Sequence, residues 1–287
     1  MSATTTATAP APTPSGGLAQ LRPATAAYPR AFFALLHRDL HVTAKHGVLF
    51  IVRTIMQPLL LMFVFTYVFP KIGQGVGGAS GSVAFTTTLV AGVVGLAIVF
   101  QGIQAVALPL VQEFGYSKEI EDRVLAPLPT KMVGVQKIVT GMVQGLVAAA
   151  LVFPIAAVVP ATPVHLKIHW LILLTLAPLA GWVAAALGLV LGTRVAPQNV
   201  SYLFALVVLP ITFLGAIYYP WTTLGPIKWL QVFVLINPLV YMCEGFRAAL
   251  VSGVGHMGLV WVYLALAAFA VGLTWIGVTG FEKRTTS

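Results

Sequence analysis

Few residues in this 287-residue chain can do chemistry: six histidines, one cysteine and seven acidic side chains. His37 and His41 stand four apart, as do His165 and His169, the spacing of two metal ligands on one helix face. A zinc site needs a third protein ligand, and none lies near either pair in the sequence, so both read as surface pairs at the borders of apolar runs. Cys243 stands alone, which excludes an internal disulfide, a CxxC redox pair and a cysteine-based zinc site. Gly73 and Gly78 have phosphate-loop spacing, but Ala79 and Ser80 occupy the places of the required Lys-Ser/Thr, so a flexible turn is the better reading. No Walker motif occurs elsewhere, and neither paired carboxylates nor a metal set suggests a catalyst. The expectation is a non-enzymatic chain without metal or cofactor; if it does ATP-driven work, the ATPase is a separate chain.

The acidic residues are concentrated. Four of the seven, Glu113, Glu119, Glu121 and Asp122, fall in EFGYSKEIEDRVLAPLPTKMVGVQK (113–137), among Lys118, Arg123, Lys131 and Lys137. Long apolar runs flank this island at 83–110 and 132–160. The chain as a whole is 8% charged and 59% hydrophobic, with a mean hydropathy of +0.94. Soluble domains carry about 25% charged residues, so this is a polytopic membrane protein, and the island is expected to stand in water between two spans. It has two readings: an ordinary solvated loop, or a short helix of alternating charge that docks onto another protein.

The elements that position these residues are therefore membrane helices. Residues 1–27 are rich in Ala, Thr and Pro and lack the apolar core of a signal peptide; they are expected to be a disordered cytoplasmic tail. Residues 30–46 read as an amphipathic interfacial helix, with Phe32, Phe33, Leu36 and Leu40 on one face and Arg38, Asp39 and Lys45 on the other. A span needs about 20 apolar residues, and six stretches qualify, near 48–69, 83–110, 132–159, 170–192, 200–218 and 257–280. Arg53 lies within snorkelling distance of the start of the first. The small-residue pairs Gly141/Gly145 and Gly188/Gly192 permit close helix packing. With both termini inside, twelve Lys/Arg fall on the cytoplasmic side and four, Lys71, Lys167, Lys228 and Arg247, outside. That bias follows the positive-inside rule; it puts the island in the cytoplasm and explains the net charge of +9 without nucleic acid.

Polar residues inside the spans are few. Gln101 and Gln104 lie in the second and Gln144 in the third, and Gln104 and Gln144 are equidistant from Val124 at the centre of the island. Antiparallel neighbours would bring those two to one depth, as hydrogen-bonded glue between helices or as a polar lining for a substrate path. Only glutamines are expected to sit deep. The stretch 213–250 is too apolar for a free loop and too broken by Gly225, Pro226 and Pro238 for one straight span. It reads as a re-entrant pair of half-helices in the outer leaflet, which must be buried in protein or line a cavity. Glu244 and Arg247, three apart, are expected to pair there, fixing the turn or acting in a gate.

The order FLG…YYP…L…WLQ…NPLVY…EGFR in that stretch resembles the C-terminal signature of type-2 ABC exporter permeases. It is carried by Phe213, Leu214, Gly215, Tyr219, Pro220, Leu224, Trp229, Leu230, Gln231, Asn237, Pro238, Leu239, Tyr241, Glu244, Gly245 and Arg247. The island is similar to the charged coupling segment that the family carries between its second and third spans, with Glu113, Gly115, Glu119 and Pro129 in the matching places. The resemblance implies an all-α fold: interfacial helix, six spans, a coupling segment at 112–131 and an outer re-entrant segment at 219–250. It also implies two permease chains, as homodimer or heterodimer, bound to two ABC ATPase subunits that hold ATP and Mg. Glu113, Lys118, Glu119, Glu121, Asp122 and Arg123 would form the ATPase contact. Tyr219, Pro220, Trp229, Asn237, Pro238, Glu244 and Arg247 would form the gate, with Gln101, Gln104 and Gln144 along the path.

The leading expectation is thus an exporter permease of the bacterial inner membrane, moving an amphipathic drug-like or lipidic substrate outward. A polysaccharide or glycolipid exporter is the alternative. An ion-coupled transporter is a further one, although it would need ionisable residues deep in its spans. A lipid-modifying membrane enzyme lacks its carboxylates.

Overall fold

The computed structural model of the chain describes residues 24–72, 78–117, 129–161, 164–195, 197–199 and 204–286. Among these residues there are helices and no strands. α1 (Ala24–Lys45) is joined through His46 to α2 (Gly47–Met62), which runs on as a π-turn, Phe63–Val68, and a short helical end, Phe69–Lys71. α3 (Gly78–Gln112) likewise continues as a π-turn, Glu113–Ser117. α4 (Thr130–Val158) and α5 (Trp170–Arg194) follow, then a π-turn, Phe204–Val208, leading into α6 (Leu209–Phe213). The chain ends with α7 (Lys228–Phe233), α8 (Pro238–Leu250) and α9 (Leu259–Thr286).

Five helices among the described residues are long and apolar enough to cross a membrane: Gly47–Lys71, Ala84–Gly115, Thr130–Val158, Trp170–Arg194 and Leu259–Thr285. The pair Lys228–Ile236 and Pro238–Leu250 makes a sixth only as a broken span, because it bends by 98°. A bend of this size fits either a broken span or a re-entrant segment. Of the expected fifth span, the described part is helical over Phe204–Phe213 and leaves the helix at Leu214. Helix α1 also begins at Ala24, inside the stretch expected to be a disordered tail.

The bundle is organised around α3. Its span is 89% buried, against 17% for the first span and 11% for the last. Lipid is as apolar as leucine, so close van der Waals packing must hold such helices together, and small residues allow it. A Cβ added to Gly188 of α5 would sit 3.0 Å from the Ile103 Cα, and one on Gly192 would sit 3.1 Å from the Ala107 Cα. On α4, a Cβ at Gly145 would meet the Ile98 carbonyl at 3.3 Å, while Gly141 faces Val106 and Ala185. Both small-residue pairs therefore press onto the same central helix. At the outer end, Gly92 lies against the Ile217 backbone and Gly95 against the Cys243 Sγ.

Two residues of α1 sit where sequence reasoning did not put them. Asp39, assigned to the solvent face of α1, is turned onto α4, with its side chain only 12% exposed. Phe33, assigned to the buried face, is 65% exposed. The reason is that α4 offers α1 a polar stripe, Gln136, Lys137, Thr140 and Gln144, in place of an apolar one.

Gly188→Leu is expected to force α3 and α5 apart and to cost about 1–3 kcal/mol. Gly272→Leu, where an added Cβ meets nothing within 4 Å, is expected to stay within about 0.5 kcal/mol of wild type. Thermal melting of the two variants in detergent checks the difference.

Candidate functional site

The outer cluster is built on α8. Asn237 caps this helix, its side-chain oxygen accepting from the Leu239 N–H at 3.0 Å, and Pro238 follows at the first helical position, where a missing N–H costs nothing. The other end of the Asn237 amide donates to the Ile211 carbonyl at 2.7 Å, tying α8 to α6. Further along α8, Glu244 and Arg247 pair at 2.7 Å with both side chains at 0% exposure. Glu244 Oε1 also accepts from the Trp221 N–H at 2.7 Å, and Oε2 from the Met257 N–H at 2.8 Å. Arg247 Nη2 donates to the carbonyls of Ala216 and Ile217. Ala216 has φ +52°, a left-handed conformation that costs an L-residue about 1–2 kcal/mol. Its carbonyl is one of the acceptors held by the guanidinium.

One ion pair thus joins three chain segments, at 216–217, at Trp221 and at Met257. Trp221, which like Trp229 suits the membrane interface on sequence, is pinned twice, since its ring N–H also donates to the Gln231 carbonyl at 3.0 Å. Tyr219 packs against a small cluster of Ala216, Leu224, Val234 and Val240. Pro220 precedes the 3-10 turn Trp221–Leu224. Trp229 stands apart, 73% exposed on α7, as an interfacial indole would be.

The inner cluster runs across α1, α2, α3 and α4. Gln101 pairs with Gln144 at 3.3 Å, and Gln104 accepts from Arg53. The equal-depth argument therefore chose the wrong glutamine of α3: Gln101, one turn further out, meets Gln144. Thr54 donates to Gln101 at 3.1 Å, and Gln144 donates to Thr43 at 3.1 Å. Below them Lys137 lies 2.8 Å from Glu113 and 3.6 Å from Asp39, and Gln136 donates to Asp39 at 3.1 Å. Lys137 and Glu113 are both buried. The island therefore does not stand wholly in water, because its first and last residues are a buried ion pair between α3 and α4. These ionisable groups are buried near the inner ends of α3 and α4, with Gln101, Gln104 and Gln144 further along the two helices. The stripe Gln136, Thr140, Gln144 at four-residue spacing was the sequence signal for this cluster.

Two further contacts tether the neighbourhood of the island. Arg284 donates to the carbonyls of Gly192, Thr193 and Val195 at 3.1 Å each, satisfying the exposed end of α5. Its guanidinium also stacks 4.5 Å over the Phe114 ring. Lys131, on the far side of the island, lies 3.5 Å from Glu282 of α9. Lys118, Glu119, Glu121, Asp122 and Arg123 fall outside the described residues.

Two cavities adjoin these clusters. A cleft of about 320 Å³ opens beside the inner one, floored by Gln101, Gln104 and Gln144 with Arg53 at its side. A second, of about 360 Å³, lies beside α8 and is walled by apolar side chains, among them Leu187, Ile211, Phe233 and Phe269.

A family profile described as "ABC-2 type transporter" matches residues 30–251, from α1 to just past α8. Over 224 residues the chain is 27% identical to "Inner membrane transport permease YadH" of Escherichia coli strain K12, covering 77% of this chain and 84% of that protein. The protein of the same name from Shigella flexneri is similar to the same extent.

Arg247→Met strands a buried carboxylate and is expected to cost about 3–5 kcal/mol, more than the double variant Glu244→Gln/Arg247→Met. A double-mutant cycle from detergent melting curves measures it. A double variant as unstable as the sum of the singles would mean that the two residues act separately.

Proposed function

The chain belongs to the ABC-2 type transporter family, and we propose that it is the permease subunit of an ATP-driven exporter in the inner membrane. The family implies association with ABC ATPase subunits. In our reading two copies of this chain, or this chain and a second permease, engage two ATPases that bind ATP and Mg, and this chain catalyses no reaction itself. Closure of the ATPases pushes on the segment 112–131 and opens a path to the outer face.

The observation that carries this reading is the way the charged segment is tied to the spans on both sides. Glu113 is clamped to Lys137, and Lys131 reaches Glu282. A loop held only by its ends would yield to a push, whereas these ties carry it into α3, α4 and α9. The buried charges are paired with one another, Glu244 with Arg247 and Lys137 with Glu113, which supports structural use of them over ion coupling. An amphipathic or lipidic cargo is supported by the apolar walls of the cavity beside α8; a polysaccharide would need hydroxyl-binding groups there.

The test is co-purification with a cognate ATPase. The permease is expected to stimulate hydrolysis several-fold, and charge reversal at Glu119, Glu121 and Asp122 is expected to abolish that stimulation without moving the permease's melting temperature. Stimulation untouched by the reversal would remove the docking role from these three residues.

A further inference from the structure

We propose that the cleft between α1, α2, α3 and α4 binds a phosphate-bearing anion, and that its source is the headgroup of an inner-leaflet phospholipid. The proposal goes beyond the transport reading and does not depend on it, because it concerns the permease chain alone.

The argument begins with Arg53. Its guanidinium donates to the Gln104 side-chain oxygen, a neutral acceptor. Among the described residues no carboxylate lies within ion-pair distance of it, while the buried Arg247 has one and Lys137 two. The carboxylate of Asp39 on α1 is engaged by Lys137, Gln136 and Arg38. Arg53 is also exposed on the surface of α2. It lies about 9 Å along the helix from Gly47, at 1.5 Å per residue. Arginine so near the inner end of a span can extend to the headgroup layer. A cation left with one neutral partner in that layer is half of an ion pair.

The cleft supplies the rest of a headgroup site. Beside Arg53, its polar lining includes His46, Gln104 and Gln112, all able to donate hydrogen bonds to phosphate oxygens, and no acidic residue. Its lining also includes the apolar Leu49, Phe50 and Leu108, contacts that an acyl chain could use. Basic pockets between transmembrane helices on the cytoplasmic side are suited to anionic lipids, and the planar fork of arginine matches phosphate oxygens two at a time. The same lining would also hold free phosphate, so the test separates the two sources.

The full chain, purified in detergent without any ATPase, is titrated with phosphatidylglycerol, phosphatidylcholine and inorganic phosphate, and bound species are counted by native mass spectrometry. Phosphatidylglycerol is expected to bind about tenfold more tightly than phosphatidylcholine, whose phosphate carries its own cation. R53Q is expected to bring the two lipids level, and R53K to keep part of the preference. Gln104→Glu keeps the arginine but gives it an internal counter-ion, and is expected to lower phosphatidylglycerol binding as R53Q does. This variant decides the matter if R53Q fails to fold. Displacement of the lipid by millimolar inorganic phosphate would assign the site to the free anion and overturn the lipid source; its absence supports the lipid. Equal binding of the two lipids by the wild type, or undiminished phosphatidylglycerol binding in R53Q or in Gln104→Glu, would overturn the site altogether.

Discussion

A charge that leaves water must be answered from within the protein, and the fully buried Arg247 is answered by Glu244. A buried ion pair is weak evidence of net stability, because desolvation offsets much of the attraction. Its value here is geometric. Apart from the Arg247 Nε, which has no hydrogen-bond partner, the pair's remaining groups engage the backbone of 216–217, Trp221 and Met257. Non-helical backbone at membrane depth exists only where such partners are available. The outer segment can be broken by turns, and Ala216 can hold a left-handed conformation, because two charged side chains collect the backbone groups that the breaks set free.

The inner half solves the same problem differently. There the polar groups are mostly neutral amides and hydroxyls, handed from helix to helix: Thr54 to Gln101, Gln101 to Gln144, Gln144 to Thr43. Bonds of this kind contribute about 1 kcal/mol each in membrane proteins, so the chain of them specifies register more than it adds stability. Between the two polar layers, α3 meets its neighbours through glycine and alanine, leaving little freedom for lateral shift. Register and spacing are thus set by separate devices on the same helix.

Much of this was legible in the residues. The apolar runs gave five helices that can cross a membrane, and Gly225, Pro226 and Pro238 marked where the outer segment would break. The Asn-Pro at 237–238 is a helix start with its cap, and the Gly141/Gly145 and Gly188/Gly192 pairs lie on helix contacts. What was not legible came from assigning polar residues to water by default. Asp39 on an amphipathic helix and Lys137 at the mouth of an apolar run both look solvated in one dimension. They are buried because each lies across from the other and from Glu113, a contact between residues 24 to 98 positions apart that no local pattern encodes. Gln101 was displaced by Gln104 in the depth argument because equal sequence distance assumes straight helices of equal pitch. The π-turn Glu113–Ser117 and Pro109 both disturb that equality in α3.

The enclosure of α3 also bears on how the molecule is assembled. The helix is the second to be made as a span, yet the partners that cover its outer half, Ile217 and Cys243, lie in the last quarter of the sequence. A nascent chain inserted in order must therefore leave Gly92 without its final neighbour until residue 217 is made, and Gly95 until residue 243 is made. For that interval the most deeply buried span of the finished protein is covered by α4 and α5 but not yet at its outer end. Completion of the core waits on residues 217–243, so a truncation ahead of them would open its centre.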